Sequence, residues 1–237
     1  MITSKTNSHL SEIRKLARAS ARSRSGRFVA EGEDLNEAAD AARITPLYVL
    51  AAQGFEGERG SGWLEVAPAL LSSVSTIAQG SRVVGVYEQR WVAPAGRVVA
   101  LWGVGDPGNV GTVLRAVHAF GADCLAVGPQ CADPYSPKAV RASVGAIFGA
   151  NVARFRHVDE LPRPVVALVA GASERLAGPR EGDLTLLVGG ERTGLPPEVL
   201  AQCDEVRSIP QVAGDSLNAA MAATVALYEV ATRMAPR

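Results

Sequence analysis

From Val98 onward, short apolar segments alternate with stretches in which apolar residues recur every three or four positions. The short segments predict β-strands, and the longer periodicity predicts amphipathic helices. The predicted strands are Val98–Val104, Cys124–Gly128, Val152–Phe155, Val165–Gly171, Leu184–Gly189 and Val206–Ile209. The predicted helices are 109–120, 136–148, 196–202 and 216–233. Nearly continuous apolar strands separated by helices indicate an α/β fold, with a mostly parallel sheet covered on both faces.

The first 90 residues show a shorter alternation of the same two patterns. Helices are predicted near 8–20, 33–43 and 67–75, and strands at Arg27–Gly32, Leu47–Ala52 and Arg82–Glu88. Gly54–Gly62 is predicted to be an exposed loop, and Gln89–Gly96, with its proline and glycine, a linker. The chain is therefore expected to form a small α/β domain at 1–90 and a larger domain at 91–237.

Composition narrows the class of protein. Of 237 residues, 47% are hydrophobic and only 5% aromatic, and no apolar run reaches the roughly 18 residues that a membrane span needs. The polar, basic start does not resemble a signal peptide, so a cytoplasmic location is expected. Cys124, Cys131 and Cys203 are odd in number and lack CxxC spacing, which argues against disulfides and structural zinc. No metal site is predicted.

Charge is distributed unevenly although the formal net charge is zero. The first thirty residues carry a run of cations accompanied only by Glu12. These cations are Lys5, Arg14, Lys15, Arg18, Arg22, Arg24 and Arg27. Such a run can bind RNA phosphates, because electrostatic affinity depends on the charges at the contact. It can equally be a solvated helix face, and the run alone leaves both possibilities open.

Three segments begin where a predicted strand ends: Asp106–Asp123, Leu186–Pro196 and Ser208–Glu229. Ligands of parallel sheets bind beyond the carboxyl ends of the strands, so these segments are candidates for one binding site. In the third segment, a helix carrying Ser216 and Asn218 follows a tight loop. The plain alternative is that Asp215 or Ser216 only caps that helix.

Together these segments resemble the three ordered motifs of the SpoU/TrmH family, S-adenosylmethionine-dependent RNA ribose 2′-O-methyltransferases of the SPOUT class. The resemblance covers roughly residues 97–233. It implies a trefoil-knotted parallel sheet and, at residues 1–90, a small ribosomal-protein-like domain that binds substrate RNA. It also implies a homodimer acting on ribosomal RNA, with transfer RNA as the alternative substrate.

The resemblance assigns a catalytic role to five residues, namely Asn109, Arg115, Glu191, Ser216 and Asn218. The sequence supports an outward position for Arg115, because the apolar residues from Val110 to Val117 form a stripe on the other side of its helix. A guanidinium remains protonated, so Arg115 is expected to bind phosphate and stabilise developing charge.

A cofactor pocket and further RNA contacts are also implied. The expected cofactor-binding residues are Gly189, Gly190, Gly194, Ile209 and Leu217. Gly190 stands where the family commonly has Asn, so its role would fall to the backbone. The expected RNA contacts are Arg14, Lys15, Arg18, Arg22, Arg24 and Arg141. In the last helix, the stripe Leu217, Met221, Val225 and Tyr228 would form either a subunit contact or intramolecular core.

Two other functions compete with this one. Gly103–Gly108 satisfies GxGxxG between a strand and a helix, which would suit an NAD-binding oxidoreductase. That alternative is weaker, since Pro107 lacks a backbone donor and the acidic residue expected about 20 positions on is only loosely matched. A non-catalytic RNA-binding scaffold is the other alternative, and the missing Asn at Gly190 keeps it open.

Overall fold

The N-terminal part of this chain is organised around a four-stranded mixed sheet. The structure is a computed structural model, and it describes residues 1–57, 60, 62–77, 80–213 and 216–231. The helices are α1 (Ser8–Leu16), α2 (Ala19–Ser25), α3 (Glu33–Ala41) and α4 (Pro68–Ser72). The strands are β1 (Arg27–Glu31), β2 (Tyr48–Ala52), β3 (Trp63–Val66) and β4 (Val83–Glu88). In the order β1-β4-β2-β3, β4 is antiparallel to both neighbours, and β2 is parallel to β3.

The apolar face of α1 anchors this first core. Leu10, Ile13 and Leu16 recur every three residues and are all buried in one cluster with Val29 of β1 and Leu50 of β2. This spacing places the three side chains on one side of the helix. The cations of the same helix, Arg14 and Lys15, are consequently left exposed.

Arg22 departs from the expectation that it contacts RNA. Its side chain is buried, and its Nη1 donates to the carbonyl oxygens of Leu16 at 2.8 Å and Ala17 at 2.9 Å. Those carbonyls end α1 and have no partner within the helix, so Arg22 satisfies them. Arg22 is therefore a structural residue and is withdrawn from the set of RNA contacts.

From Trp91 the elements alternate between strand and helix. The strands are β5 (Trp91–Val92), β6 (Arg97–Trp102), β7 (Cys124–Val127), β8 (Asn151–Arg154), β9 (Val165–Leu168), β10 (Leu184–Gly189) and β11 (Glu205–Arg207). The helices are α5 (Pro107–Ala119), α6 (Pro137–Ala142), α7 (Ala146–Gly149), α8 (Pro197–Leu200) and α9 (Ala219–Val230), with a 3₁₀ turn at Val158–Glu160.

The seven strands β5–β11 form a single sheet in the order β11-β9-β10-β6-β7-β8-β5, and every described pairing is parallel. The central strands are buried along almost their whole length, as expected for a sheet covered on both faces. Helix α9 packs against both α5 and β10. The predicted α/β fold with a parallel sheet is confirmed.

The chain divides into two units between Gln89 and Arg90, next to the predicted boundary at residue 90. The first unit also contains Tyr135–Gly149, which a contiguous division did not anticipate. Phe28 of β1 explains this membership, because its ring lies 4.9 Å from that of Tyr135 and 5.9 Å from that of Phe148, centroid to centroid. Sequence separation hid these aromatic contacts.

Several element boundaries differ from the predictions. The helix predicted at 8–20 is broken at Arg18, whose backbone is extended, so α1 and α2 are separate. The helix predicted at 136–148 breaks at Val144 and Gly145, which have φ of 48° and 86°. A Cβ on Gly145 would lie 2.5 Å from that of Ala38, so only glycine fits at this break. Strand β3 was missed.

The predicted linker and the C-terminal helix also differ. Trp91 and Val92, within the predicted linker, form the edge strand β5 of the large sheet. The helix predicted at 216–233 begins at Ala219 and runs to Val230, and residues 232 and 233 lie outside the described part of the chain. Among the described residues, no helix is both long and apolar enough to cross a lipid bilayer.

Candidate functional site

The loops that follow β9, β10 and β11 enclose a cavity of about 350 Å³. Because the strands are parallel, their carboxyl ends meet at one edge of the sheet, and this is where the cavity lies. All five predicted cofactor-binding residues line it: Gly189, Gly190, Gly194, Ile209 and Leu217. Two predicted catalytic residues, Glu191 and Ser216, line it as well. The structure thus brings together residues more than twenty positions apart in sequence.

The glycine loop after β10 is folded tightly against its surroundings. A Cβ on Gly189 would lie 2.5 Å from the carbonyl carbon of Gly194, and Gly194 itself has a φ of 61°. A Cβ on Gly190 would overlap the carbonyl oxygen of Gly103, which follows β6. No side chain fits at Gly190 with this backbone. Glycine in place of the Asn that is common in the family therefore allows the two backbone segments to approach closely.

A chain of hydrogen bonds joins three predicted catalytic residues. Asn218 is the N-cap of α9, and its Oδ1 accepts from the backbone N–H groups of Ala220 at 2.9 Å and Met221 at 3.3 Å. Its Nδ2 donates to Oδ1 of Asn109 at 3.2 Å, and Nδ2 of Asn109 donates to Oε1 of Glu191. The backbone cap fixes the orientation of the Asn218 amide, and so the direction of the whole chain.

The N-cap of α9 is Asn218, whereas the plain alternative assigned the cap to Asp215 or Ser216. Asp215 lies outside the described residues. Ser216 is exposed and lines the cavity. At α5, Asp106 is the cap, and its Oδ1 accepts from the backbone N–H of Asn109 at 3.0 Å. Asn109 is therefore held by its backbone at α5 and by its side chain at α9.

Arg115 lies on the exposed side of α5, as predicted. Val110, Val113, Leu114 and Val117 are completely buried on the other side. Within the described parts of the chain, the Arg115 guanidinium has no hydrogen-bond or ion-pair partner, and it does not line the cavity. The structure does not bring it into the chain formed by Asn218, Asn109 and Glu191. Arg115 is consequently free to bind a ligand outside the cavity.

The predicted RNA contacts differ in availability. Arg14, Lys15, Arg18 and Arg24 are exposed on the first unit, whereas Arg22 is buried. Arg141, in α6, is half-buried, and its Nη1 donates to Oγ1 of Thr76 at 2.6 Å. Thr76 in turn donates to the buried carboxylate of Glu31. Exposed Arg14 also has intramolecular partners, the carbonyl of Lys5 at 3.3 Å and Oγ of Ser73 at 3.2 Å, so half-burial is what makes Arg141 a weaker candidate.

Sequence reasoning missed part of the cavity wall. Leu168, Val169 and Ala170 at the end of β9 line it, as do Leu195 and Leu200 beyond the glycine loop. The rule that ligands bind at carboxyl ends of parallel strands could have identified the β9 residues. Leu195 and Leu200 carry no such signal, because only the return of the chain after β10 brings them there.

The dinucleotide-binding alternative at Gly103–Gly108 is not supported. The carboxylate of Asp106 already occupies the start of α5, where a pyrophosphate would have to bind. Pro107 provides no backbone N–H at the same place, and the cavity lies instead beside the glycine loop after β10. A negative cap and a missing donor together make this helix start unfavourable for an anion.

The sequence model of the SpoU rRNA methylase family matches residues 96–228, which is more than half of the chain. The chain belongs to this family. The match spans β6 to α9 and includes every residue of the hydrogen-bonded chain described above. The resemblance inferred from three short motifs is thereby confirmed, and family membership replaces the oxidoreductase alternative.

Relatives within the family cover different parts of the chain. The 23S rRNA (guanosine(2553)-2′-O)-methyltransferase RlmP of Bacillus subtilis is 28% identical over 97% of this chain and 98% of its own. A 23S rRNA (uridine(2479)-2′-O)-methyltransferase of Streptomyces viridochromogenes is 39% identical over 52% of this chain, and the match spans about half, 48%, of that relative. An AdoMet-bound rRNA methyltransferase structure from Sinorhizobium meliloti aligns with a TM-score of 0.84 at 30% identity, covering 96% of this chain and 95% of that one.

We expect Gly190→Ala to weaken binding of S-adenosylmethionine about tenfold or more, because the added methyl overlaps the Gly103 carbonyl and must displace the loop. Gly105→Ala is the matched control, since its Cβ would point into open space. Calorimetric titration of both variants, with NAD in a parallel cell, measures the effect. Unchanged affinity in Gly190→Ala, or NAD binding, would contradict the assigned pocket.

Proposed function

We propose that this protein transfers a methyl group from S-adenosylmethionine to a ribose 2′-hydroxyl of 23S rRNA. The observation that carries the proposal is the hydrogen-bonded chain from Asn218 through Asn109 to Glu191, which ends at the edge of the predicted cofactor pocket. The relatives named above are methyltransferases of 23S rRNA, and the Sinorhizobium neighbour is AdoMet-bound, which supports both the substrate class and the cofactor. Such an enzyme would act in the cytoplasm.

The cavity residues suit this cofactor. Leu195, Leu200, Ile209 and Leu217 provide apolar contacts for an adenine ring, and the glycine loop offers backbone polar groups with no intervening side chain. When bound, the cofactor supplies an electrophilic methyl group. Among the described residues, no cluster of three or more His, Cys, Asp or Glu could hold a metal ion.

Glu191 is positioned to orient the acceptor. Its Oε1 accepts from Asn109, so its second carboxylate oxygen can accept from the ribose 2′-hydroxyl or from Arg115. Asn218 donates to the side-chain oxygen of Asn109, so the amide nitrogen of Asn109 faces Glu191. Asn109 therefore donates to Glu191 and does not accept the proton of the ribose 2′-hydroxyl. Holding the acceptor oxygen at attack distance lowers the barrier by reducing the entropy that must be lost.

Arg115 would act on the RNA side of the reaction. Its guanidinium stays protonated, so it cannot take the hydroxyl proton. A free, exposed guanidinium can instead bind the adjacent phosphate and stabilise negative charge on the attacking oxygen. This role requires RNA to bring the phosphate and Arg115 together, which agrees with the absence of Arg115 from the cavity wall.

We expect Arg115→Ala to lower the rate of methyl transfer to 23S rRNA by about 10²-fold or more, while S-adenosylmethionine binds as before. Arg115→Lys should recover only part of the rate, because a point charge cannot bind phosphate bidentately. Transfer of a labelled methyl group and calorimetry measure the two quantities. The control is Arg163→Ala, which removes an exposed arginine just before β9, at the amino end of the sheet.

Normal transfer by Arg115→Ala would remove this residue from the mechanism. Cofactor binding by the wild-type protein without transfer to any RNA would favour the non-catalytic scaffold.

The first unit is proposed to be the RNA substrate-binding domain, similar in fold to ribosomal proteins. Four exposed cations, Arg14, Lys15, Arg18 and Arg24, lie on α1 and α2 or between them. Neutral residues at these positions remove phosphate contacts without disturbing the core formed by the apolar face of α1. The half-buried Arg141 is assigned a secondary role.

Replacing Arg14, Lys15, Arg18 and Arg24 singly by Gln should weaken RNA binding and lower the salt slope by about 0.7–0.9 for each lost phosphate contact. Arg22→Gln should behave differently, lowering the free energy of unfolding by about 1–3 kcal/mol, because it leaves buried carbonyls unpaired. Titrations at several salt concentrations and denaturant unfolding measure the two effects. Equal salt slopes in all variants would refute the RNA contact.

A homodimer is proposed through the outer face of α9. Met221, Val225 and Tyr228 are exposed by 57%, 42% and 71%, so they do not form intramolecular core. Leu217, the fourth residue of the predicted stripe, is half-buried and lines the cofactor cavity. A second copy of the chain would cover the three exposed side chains and lie next to α5, which carries Arg115.

We expect Val225→Asp to shift the protein from dimer to monomer, because a carboxylate buried in an apolar contact costs several kcal/mol. Val92→Asp is the matched control, since Val92 of β5 is exposed to the same 42%. Sedimentation velocity gives the oligomeric state. A Val225→Asp variant with the sedimentation of the wild-type protein would exclude this interface.

A trefoil knot is proposed for the parallel sheet. The connection between β9 and β10 is tied to the end of α9, because the backbone N–H of Arg180 donates to the carbonyl of Val230 at 3.1 Å. Gly178 likewise donates to Oε1 of Glu229 at 2.8 Å. These bonds place the end of α9 against that connection, and this proximity supports the proposal.

A further inference from the structure

A second cavity, of about 440 Å³, opens at the carboxyl ends of β7 and β8. We call it the Arg154 cavity, after the residue that ends β8. Its polar wall contains Arg154, Arg156 and Asp133, and its other walls include Trp91, Cys131 and Phe155. None of these six residues belongs to the predicted site. The cavity combines aromatic surface, two exposed guanidinium groups and one carboxylate.

Trp91 holds the guanidinium of Arg154 in a defined orientation. The Cζ atom of Arg154 lies 3.7 Å from the centroid of the Trp91 ring, which is close contact for a cation–π pair. Arg154 is nevertheless exposed. One face of the planar guanidinium therefore rests on the indole, and the other remains available. Guanidinium planes are platforms on which unpaired RNA bases stack.

The floor of the cavity is closely packed. Phe155 is buried against Trp102, with ring centroids 5.9 Å apart, and a Cβ on Gly128 would lie 2.6 Å from the Phe155 ring. The thiol of Cys131 donates to the carbonyl of Leu101 at 3.1 Å, and burial raises its pKa, so it stays neutral near pH 7. The floor thus offers an uncharged surface that suits a flat, weakly polar ring.

The charges around this floor indicate the kind of ligand. Arg156 is exposed at the rim, where its guanidinium can bind phosphate oxygens. Asp133 is half-buried in the wall and places a carboxylate there. A carboxylate in the wall also disfavours a phosphate deep in the cavity. This distribution fits a nucleotide whose base enters and whose phosphate stays outside.

The position of the cavity relates it to the proposed reaction. In the sheet order, β8 is three strands from β10, which is about 14 Å at the usual strand spacing of about 4.8 Å. Both cavities lie at the carboxyl ends of their strands, hence at one edge of the sheet. At a rise of about 3.4 Å per stacked nucleotide, a single strand spans this distance with about four nucleotides, and with fewer if the bases are unstacked.

We propose that the Arg154 cavity binds an unpaired base of the RNA substrate, a few nucleotides from the ribose that is methylated. The base stacks on the Arg154 guanidinium, Trp91 positions that guanidinium, and Arg156 binds the flanking phosphate. The inference rests on the proposed function for the identity of the ligand as RNA. It adds a subsite that favours single-stranded RNA with an unpaired base beside the reaction site.

The test compares two RNA probes in the absence of S-adenosylmethionine. One is a fluorescently labelled single-stranded RNA octamer of mixed sequence, and the other is the same octamer with every base removed. Fluorescence anisotropy gives the affinity of the full-length protein for each. The wild-type protein should bind the base-containing octamer more tightly.

Substitutions then separate stacking from charge. Arg154→Ala should lower affinity for the base-containing octamer by about 5-fold to 100-fold, the range expected for one stacked base, with less than about twofold loss for the abasic octamer. Arg154→Lys, which keeps the charge, should lose most of the same preference for bases. Trp91→Leu should follow Arg154→Ala, and Trp91→Phe should recover most of the affinity. Arg156→Ala should weaken binding of both octamers equally.

The control is Arg163→Ala, which removes an exposed arginine at the amino end of the sheet and should leave both affinities unchanged. If Arg154→Ala lowered the affinity for both octamers equally, Arg154 would contribute only its charge, and the proposal would be overturned. No loss in Arg154→Ala, or no base preference in the wild-type protein, would also overturn it. Methyl transfer to 23S rRNA is measured separately on the wild-type protein, so failure of the proposed function is distinguished from failure of this subsite.

Discussion

The parallel pairing of β6 with β10 is the constraint on which the functional site depends. Its register places Gly189 opposite Trp102, so the residues that follow each strand must lie side by side. The backbone of Gly190 consequently packs against the carbonyl of Gly103, and only glycine fits there. The same register carries Glu191 to Asn109 at the start of α5. Two motifs more than eighty residues apart become one site because two strands exchange backbone hydrogen bonds.

The start of α9 gives the site its hydrogen-bond direction. A helix start has unpaired N–H groups, and the Asn218 side chain satisfies two of them with its oxygen. Its amide nitrogen must therefore point outward, toward Asn109. Asn218 thus caps the helix and, through Asn109, also orients the carboxylate of Glu191. One geometry therefore both caps α9 and connects Asn218 to the candidate site.

The arginines of the first unit show how burial separates side chains of the same type. Arg18, Arg22 and Arg24 lie within seven residues and carry the same charge, yet Arg22 is buried and bonds to the end of α1. The other two remain in solvent, where phosphates can reach them. Arg154 illustrates the same principle in the large sheet, because its contact with Trp91 leaves one face of the guanidinium open.

The sequence by itself determined the α/β class, nearly all strands of the large sheet and which segments line the candidate site. Apolar strands, amphipathic helices and glycines are local signals, and Arg115 was placed on the outer face of α5 by the stripe from Val110 to Val117 alone. Tertiary structure decided what depends on distant partners. A left-handed backbone at Val144 and Gly145, where Gly145 packs on Ala38, interrupts a predicted helix, and burial makes Arg22 structural. Strand β5 formed because Trp91 and Val92 pair with Val152 and Ala153 of β8, residues too far along the chain for local sequence to reveal.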